Sequence, residues 1–269
     1  DYIEFLYNLD EVDNVYNQKK IDISGINLLI PAGGEGARFK KENYKTSKIF
    51  LPVGEKPLIK NIINSFKNQK STKVLVTNNN FEDLKKINNL NNEEIIKISK
   101  KTKGQAHSAM KLVEKIENNY PILIHSADCI LDKDVNLNLN NYDVGVVTKE
   151  KYRRALFKYK NYGWVNKRKN KIINFSIKKK PLSDESTVIT GIFLFRNLEI
   201  YKNLFEKTKK RMSNKDIEIH IDYLIETAII ENMKVKEIKT KKSVMIGTPI
   251  EYELFKYMDY VKKYLSKKL

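Results

Sequence analysis

A glycine-rich segment followed by two cations is the part of this chain best suited to chemistry. It directly follows the apolar run at 28–30, and its key residues are Gly33, Gly34, Gly36, Arg38 and Lys48. Glycines let backbone N–H groups approach a polyphosphate closely, and neighbouring cations neutralise its charge. The segment is therefore predicted to bind a polyphosphate in a loop after a buried strand.

The spacing of these residues excludes two common phosphate-binding motifs. A P-loop needs the pattern G-x-x-x-x-G-K-[ST], which the segment lacks. The dinucleotide motif G-x-G-x-x-G is absent as well, because Arg38 and Phe39 follow Gly36 where a third glycine would be needed.

The segment resembles the signature of the sugar-1-phosphate nucleotidylyltransferases, which runs A-G-G-x-G-[ST]-R, P-K, P-V and K-P. The chain carries AGGEGAR at 32–38, SK at 47–48, PV at 52–53 and KP at 56–57, so it departs from the signature at Ala37 and Ser47. The resemblance implies that the loop binds a nucleotide through Ala32, Gly33, Gly34, Gly36 and Arg38. It also implies that Arg38 holds the triphosphate and that Lys48 stabilises charge at the α-phosphate.

The elements that must position this loop alternate between strand and helix patterns. After the strand at 28–30, helices are predicted at 58–68, 81–87 and 106–116, and strands at 74–76, 95–98 and 121–125. Such alternation favours βαβ units and a parallel sheet, with ligands beyond the carboxyl ends of its strands.

The second half predicts closely spaced strands at 144–148, 155–159, 164–166, 172–177 and 188–195. Helices follow at 198–209 and 217–231, then strands at 235–238 and 243–246 and a last amphipathic helix. The resemblance implies a Rossmann-like α/β fold of the nucleotide-diphospho-sugar transferase type, with a central mixed, mostly parallel sheet. We expect an N-terminal helical extension at 1–24 and one nucleotidyltransferase domain at 25–269.

Two further motifs extend the resemblance. Gly104 and Gln105 lie at a helix start where the family contacts the nucleobase, and backbone groups at such a start suit an anion or a base edge. Asp128 follows the strand at 121–125 at the position of the family's magnesium-binding aspartate. Mg²⁺ prefers one or two carboxylates together with phosphate oxygens, so Mg²⁺ is the expected cofactor.

The resemblance places the acceptor in the second half of the chain. It implies contacts from Gly163 in a Y-G-W-V run, from Thr190 and Gly191 in a V-I-T-G strand, and from Lys179 and Lys180 where the family has E-K. Since lysine replaces the family's glutamate, we expect a more cationic pocket than a hexose phosphate requires.

The second metal ligand of the family is missing from this chain. Met245 stands where many members carry a second metal-binding aspartate. We therefore expect Asp222 to supply that carboxylate, with Glu218 and Glu226 as alternatives.

Composition limits the other classes of partner. The net charge is +18, but most cations are lysines dispersed along the whole chain, which argues against sequence-specific nucleic-acid binding. No apolar run reaches the ~18 residues of a membrane span, and the single Cys129 fits a reducing, cytoplasmic compartment. Because the chain starts at Asp1, an upstream domain stays open, as does a homo-oligomer.

The sequence therefore predicts an Mg²⁺-dependent enzyme that moves a nucleoside monophosphate from an NTP to a sugar-1-phosphate or another small phosphorylated acceptor, releasing pyrophosphate. The resemblance associates this activity with precursors of surface polysaccharides. Three alternatives remain at this stage: a glycosyltransferase of the same fold, with a D-x-D pattern at 132–134, a non-catalytic nucleotide-binding module, and a nucleic-acid binder.

Overall fold

Runs of leucine, isoleucine and valine form the strands of a central nine-stranded sheet in the computed structural model of the protein. The structure describes residues 11–16, 19–34, 36–87, 94–100, 102–150, 152–213 and 218–267. Half of the predicted N-terminal extension, at 1–10 and 17–18, lies outside these ranges.

The strands have the following bounds: β1 Ile21–Asp22, β2 Asn27–Pro31, β3 Pro52–Val53, β4 Lys56–Pro57, β5 Phe66–Lys67, β6 Ser71–Thr77, β7 Ile95–Ile98, β8 Ile122–His125, β9 Cys129–Ile130, β10 Val144–Lys149, β11 Gly163–Arg168, β12 Lys171–Ile177, β13 Thr187–Phe195, β14 Val235–Thr240 and β15 Val244–Met245.

The helices are α1 Ala37–Lys41, α2 Leu58–Asn64, α3 Asn78–Lys85, α4 Gln105–Val113, α5 Leu198–Arg211, α6 Ile221–Ile230 and α7 Pro249–Ser266. Short 3₁₀ helices lie at Lys48–Phe50 and Arg153–Asn161, and residues 11–16 are helical.

The large sheet has the order β12-β11-β13-β8-β2-β6-β7, and β10 lies between β13 and β14. The pairs β8-β2, β2-β6, β6-β7 and β10-β14 are parallel, whereas β13 is antiparallel to β8, β10 and β11, and β12 is antiparallel to β11. Only β12 and β13 therefore run against the other strands of this sheet. The prediction of a mixed, mostly parallel sheet is confirmed.

Alternate residues of the central strands pack into two apolar clusters. Leu28 and Ile30 belong to one cluster and Leu29 to the other, and the same alternation recurs at Val74, Leu75 and Val76. Because successive strand side chains point to opposite faces, both faces of the sheet are covered. Burial on both faces explains why these strands are continuous apolar runs in the sequence.

One predicted strand is wrong. The segment expected as a strand at 155–159 belongs to the 3₁₀ stretch Arg153–Asn161. Ala155 is buried, but the consecutive Leu156 and Phe157 are both exposed, by 45% and 90%. No face of this segment is continuously buried, so nothing selects the two-residue period of a strand.

The helical segment 11–16 packs on the domain. Val12 is almost fully buried, and the hydroxyl of Tyr16 donates a hydrogen bond to Asp259 of α7. A buried ion pair joins Glu11 Oε1 and Lys149 Nζ at 2.5 Å. Among the described residues, no helix is long and apolar enough to cross a membrane.

Candidate active site

A cleft of about 340 Å³ lies where the chain leaves the carboxyl ends of β2 and β8. Pro31 at the end of β2 and Asp128 just after β8 both line this cleft. These two strands are parallel neighbours in the sheet, so the loops that follow them emerge at the same edge.

The glycine loop is packed closely on one side and open on the other. A Cβ on Gly33 would lie 2.5 Å from Leu75 Cδ2 and 2.9 Å from Ile98 Cδ1, whereas a Cβ on Gly34 would meet nothing within 4 Å. Gly33 therefore lets the loop lie against β6 and β7. Gly34 leaves its backbone accessible from the cleft that it lines.

Lys48 is joined to Asp128 across the site. Its Nζ lies 2.5 Å from Asp128 Oδ1, and the two side chains are 16% and 35% exposed. Burial alone would raise the pKa of Asp128, but the charge and hydrogen bond of Lys48 and the charge of Arg38 hold that pKa below its ordinary value. Asp128 is therefore ionised near neutral pH and within reach of two cations.

Two glycines bring backbone up to Asp128. A Cβ on Gly191, which has φ of +84°, would lie 1.9 Å from Ser126 Oγ and 3.3 Å from Asp128 Oδ2. A Cβ on Gly247 would lie 3.3 Å from Asp128 Oδ1. Ser126 is buried beside Asp128, and its hydroxyl helps to keep the pKa of that carboxyl below its ordinary value.

Gly104 connects the expected nucleobase loop to the segment that carries Asp222. With φ of +102°, a Cβ on Gly104 would lie 2.6 Å from the carbonyl oxygen of Ile219. The N–H of Ile219 donates to Lys103 O, and the N–H of Ala106 donates to Ile219 O. These contacts fix the backbone just before α6. His220 is the N-cap residue of this helix, and Asp222 lies in its first turn.

Asp222 lies beside the first residue of β11. Its Oδ2 is 2.8 Å from the position of a Cβ on Gly163, so only glycine leaves room for this carboxylate. Burial raises the pKa of Asp222 to about 7, the charge of Asp128 adds to the rise, and Lys178 opposes it. A cation bound between these two carboxylates would relieve their repulsion.

The donor set fits Mg²⁺ in chemistry, with two carboxylates and room for phosphate oxygens. Within the described ranges, no group of three or more histidine, cysteine or carboxylate side chains is arranged to hold a metal ion. Glu226 is paired with Arg211 at 2.8 Å and does not line the cleft, whereas Glu218 does. Any Mg²⁺ held here would therefore depend on substrate oxygens as well as on Asp128 and Asp222.

Met245 occupies the position where the resemblance placed a further aspartate. It lines the cleft and pairs in the β9-β15 ladder with Cys129, directly after Asp128. The position is thus adjacent to the site, but its thioether is not a ligand that Mg²⁺ prefers.

The cleft brings together most residues selected from the sequence. Those that line it are Gly33, Gly34, Arg38, Gly104, Gln105, Asp128, Gly163, Thr190, Gly191 and Asp222. Lys48 is not a lining residue, but it contacts Asp128, which is. Gly36, with φ of 63°, is the N-cap residue of α1. Ala32 is buried next to Gly33.

The lysine run lies differently from the sequence-based expectation. All three lysines are exposed, but Lys178 lines the cleft, whereas Lys179 and Lys180 are not among its lining residues. Lys178 has φ of 56°, and its N–H donates to Tyr162 O. The role assigned to Lys179 and Lys180 stays a prediction.

Sequence reasoning missed Glu251, a buried carboxylate in the cleft wall. Both its oxygens are hydrogen bonded: Oε1 accepts from the hydroxyls of Tyr152 and Tyr162 at 2.6 and 2.7 Å, and Oε2 accepts from Thr248 N at 2.8 Å. A signal was present, because Thr248 and Glu251 form the T-x-x-E capping-box pattern at the start of α7. The two tyrosine contacts depend on tertiary structure alone.

The fold and the cleft define a class: an α/β protein that offers a glycine loop, two cations and two carboxylates to a phosphate-bearing ligand. Comparison with known families supports this class, since the profile described as "Nucleotidyl transferase" matches residues 28–242. The chain belongs to this nucleotidyl transferase family.

Solved structures share the fold at low sequence identity. A nucleoside-diphosphate-sugar pyrophosphorylase from Vibrio cholerae matches with a TM-score of 0.71 at 20% identity, over 85% of this chain and 98% of its own. An inositol-1-phosphate CTP transferase from T. maritima has a TM-score of 0.64 at 17% identity, over 87% of this chain and 96% of its own.

A putative glucose-1-phosphate thymidylyltransferase from Bacillus anthracis has a TM-score of 0.66 at 16% identity, over 87% of this chain and 94% of its own. These likenesses confirm the nucleotide-diphospho-sugar transferase type of fold. No curated protein matches the chain.

Proposed function

We propose that this protein transfers a nucleoside monophosphate from an NTP to a small phosphorylated acceptor and releases pyrophosphate. The observation that carries the proposal is the Lys48–Asp128 contact beside the glycine loop, which joins a triphosphate-binding segment to a carboxylate suited to a metal ion. Family membership and the names of the similar structures support the same reaction class.

The reaction needs little from the protein beyond positioning and charge. An oxygen of the acceptor phosphate attacks the α-phosphorus of the NTP, a new P–O bond forms, and the bond between the α-phosphorus and the bridging oxygen breaks. Pyrophosphate leaves with that bonding pair. No general base is required because a phosphate monoester is already anionic near neutral pH, so preorganised charges supply most of the catalysis.

Each lining residue then has a physical task. Backbone N–H groups near Gly34 approach the triphosphate, and Arg38 neutralises it. Lys48 stabilises the charge that develops at the α-phosphate, while Gly163 and Gly191 let the acceptor lie against backbone. Asp128 and Asp222 would hold Mg²⁺, which when bound would neutralise and align the phosphate oxygens of both substrates.

The glycosyltransferase alternative receives no support from its D-x-D pattern. Asp132 is buried, and its carboxylate accepts the backbone N–H groups of Asp134 and Lys242. Asp134 is 66% exposed and pairs with Lys19. Neither aspartate lines the cleft, so the pattern stabilises a turn outside the cleft.

Pyrophosphate release from a panel of NTPs and phosphorylated acceptors, with and without Mg²⁺, tests the proposal and separates it from a non-catalytic module. We predict that Lys48→Ala lowers turnover by at least ~10²-fold, the scale for one preorganised charge. Lys45→Ala is the matched control, because Lys45 is exposed in the same loop. A folded Lys48→Ala variant with full turnover would contradict the proposal.

A further inference from the structure

A second cavity, of about 250 Å³, lies outside the cleft and shares no lining residue with it. Its walls come from the helical segment 11–16, the start of β1, β4, the end of α2 and the residues at and after β9. Because the family profile begins at residue 28, part of this cavity is built by a segment outside the matched range. The proposed reaction uses none of its residues, so the cavity requires an explanation of its own.

Every charged side chain that lines this cavity is a cation. Within the part of the chain that the structure describes, these are Lys19, Lys20, Lys56 and Lys133, and no carboxylate lines the cavity with them. Lys56 and Lys133 are half-buried, and neither they nor Lys20 form an ion pair with a described residue. Lys19 pairs with Asp134 at 3.6 Å, but both side chains are mostly exposed, so the contact is weak. This cavity is called the lysine pocket below.

The carboxylates that neighbour the lysine pocket in the chain do not neutralise it. Those with ion pairs or hydrogen bonds outside the pocket are Glu11, Asp13, Asp22 and Asp132. Glu55 directly precedes Lys56, but it is exposed and does not line the pocket. The positive charge of the pocket is therefore reduced only by the exposed pair of Lys19 with Asp134.

The backbone that carries Lys56 is held from two sides. The side-chain amide of Asn61 donates to Val53 O at 2.7 Å and to Lys56 O at 3.2 Å. On the other side, a Cβ on Gly54 would lie 3.1 Å from Val15 Cγ1. The turn between β3 and β4 is thus packed closely on the helical segment 11–16, which places Lys56 opposite the start of β1.

The D-x-D pattern at 132–134 positions Lys133. The carboxylate of Asp132 accepts the backbone N–H groups of Asp134 at 3.2 Å and Lys242 at 3.0 Å. Asp132 is 7% exposed, so the turn is fixed from within the protein. Lys133 is the middle residue of this turn and lines the pocket. The pattern therefore has a structural role that does not involve a metal ion.

We propose that the lysine pocket is a second binding site, separate from the cleft, for a small polyvalent anion of the phosphate or pyrophosphate type. Lysine ammonium groups act as compact point charges on flexible stems, and such charges suit a small anion with several negative oxygens. Their attraction is stronger for the half-buried Lys56 and Lys133 than it would be in bulk water. The side-chain amide of Asn64, which has no hydrogen-bond partner among the described residues, adds a donor in the same wall.

The size and lining of the pocket favour the phosphate group alone over a nucleotide or a nucleic acid. Ligand pockets for larger molecules enclose about 300–1,000 Å³, and this one is smaller. No aromatic side chain of the described residues lines it, so it offers no surface on which a nucleobase could stack. The ligand is therefore expected to be recognised by its charge.

Modification of individual lysines provides a test that separates the pocket from the cleft. The wild-type protein is acetylated with an amine-reactive reagent in EDTA, without NTP, and mass spectrometry measures the rate at each lysine. We expect inorganic pyrophosphate at ten times its Kd to slow modification of Lys56 and Lys133 about tenfold. Lys115 and Lys171, which are exposed and outside both cavities, should be unaffected. Equal protection by sodium chloride at the same ionic strength, or no protection of Lys56 and Lys133, overturns the inference.

Two matched pairs of substitutions assign the binding to the pocket. Lys56→Gln with Lys133→Gln removes two pocket charges, and Lys115→Gln with Lys171→Gln removes the same charge elsewhere. Both pairs are made in the Lys48→Ala background, so that binding of pyrophosphate in the cleft is weakened equally. Titration calorimetry should show affinity lower by about tenfold or more for the pocket pair, which corresponds to ~1.4 kcal/mol. Equal affinities in the two pairs would mean that only the overall charge attracts the anion, and the pocket would be rejected.

These outcomes are independent of those that test the proposed function. If pyrophosphate protects Lys48 but not Lys56 and Lys133, the anion binds only in the cleft, and the pocket is rejected while the proposed function stands. If Lys56 and Lys133 are protected but no NTP and acceptor pair releases pyrophosphate, the pocket stands and the proposed function fails. If the pocket variant does not fold, the protection measured on the wild-type protein decides.

Discussion

Single residues decide how closely the backbone approaches the cleft. Gly191 and Gly34 both line it, but they do so in opposite ways. Gly191 has a positive φ and lies against Ser126, whereas Gly34 faces open space. Alanine at Gly191 should therefore lower the stability of the fold, whereas alanine at Gly34 should weaken ligand binding.

We predict that Gly191→Ala destabilises the protein, because its Cβ would overlap Ser126 Oγ at 1.9 Å and φ is +84°. Such strain and overlap cost on the order of 1–3 kcal/mol each. Thermal unfolding measures the loss. Gly34→Ala should unfold at the wild-type temperature but raise the KM for NTP. Equal melting temperatures for wild type and Gly191→Ala would refute the close contact.

At the scale of elements, periodic patterns predicted most of the sheet and the helices, because both faces of the central strands are buried and select apolar runs. The strand Ile95–Ile98 has its predicted bounds, whereas the predicted helix at 58–68 ends at Asn64. Residues Phe66–Lys67 instead form β5, which pairs with β1. A pairing with a strand that lies 45 positions earlier cannot be derived from local propensity.

The candidate site was predictable where a motif fixes backbone geometry and not where side chains converge from distant segments. The glycine loop, Asp128 and Gly191 lie in local motifs that resemble those of the family, which is why the sequence selected them. The contacts of Glu251 with Tyr152 and Tyr162 join segments that are 99 and 89 positions apart. For the same reason, the sequence could not distinguish Lys178, which lines the cleft, from Lys179 and Lys180, which do not.

The helical segment at 11–16 lies outside the residues that the family profile matches. Its contacts with the rest of the chain decide whether it is part of the folded unit. Lys149 is buried, and its Nζ contacts Glu11 Oε1 and Ser243 O, each at 2.5 Å. Burial lowers the pKa of Lys149, and Glu11 opposes that shift. Ser243 directly precedes β15, which pairs with the segment after Asp128.

We therefore predict that Glu11→Gln costs about 3–5 kcal/mol of unfolding free energy, because it leaves a buried ammonium without its carboxylate. Urea denaturation measures this loss. The double variant Glu11→Gln with Lys149→Met should recover much of it. Asp83→Asn, which breaks the exposed pair with Lys86, should cost under ~1 kcal/mol. A small effect of Glu11→Gln would mean that the segment contributes little to stability.

At the scale of the whole molecule, charge and burial together limit stability in acid. Protonation of carboxylates adds to a net charge that is already +18, so repulsion grows as pH falls. Histidines add a second contribution. His125, at the end of β8, is 1% exposed, and its Nδ1 accepts the N–H of Ala127, which requires a neutral ring with the proton on Nε2.

Burial lowers the pKa of His125 to about 3, with a smaller opposing contribution from Asp128. In the unfolded chain the pKa is near ~6.5. Between these values the unfolded state binds more protons, so the stability contributed by the neutral ring is complete above pH ~6.5 and is lost as pH falls. The slope is about 1.4 kcal/mol per pH unit for this one residue.

We predict that His125→Asn, whose side-chain oxygen can still accept the N–H of Ala127, removes this slope. Between pH 6.5 and 5 the wild type should lose about 1–2 kcal/mol more unfolding free energy than the variant, from urea titrations at each pH. His107→Asn serves as the control, because burial lowers the pKa of that partly exposed histidine as well but the ring is better solvated. Parallel pH profiles for wild type and His125→Asn would show that folding does not lower the pKa of His125, which would contradict this prediction.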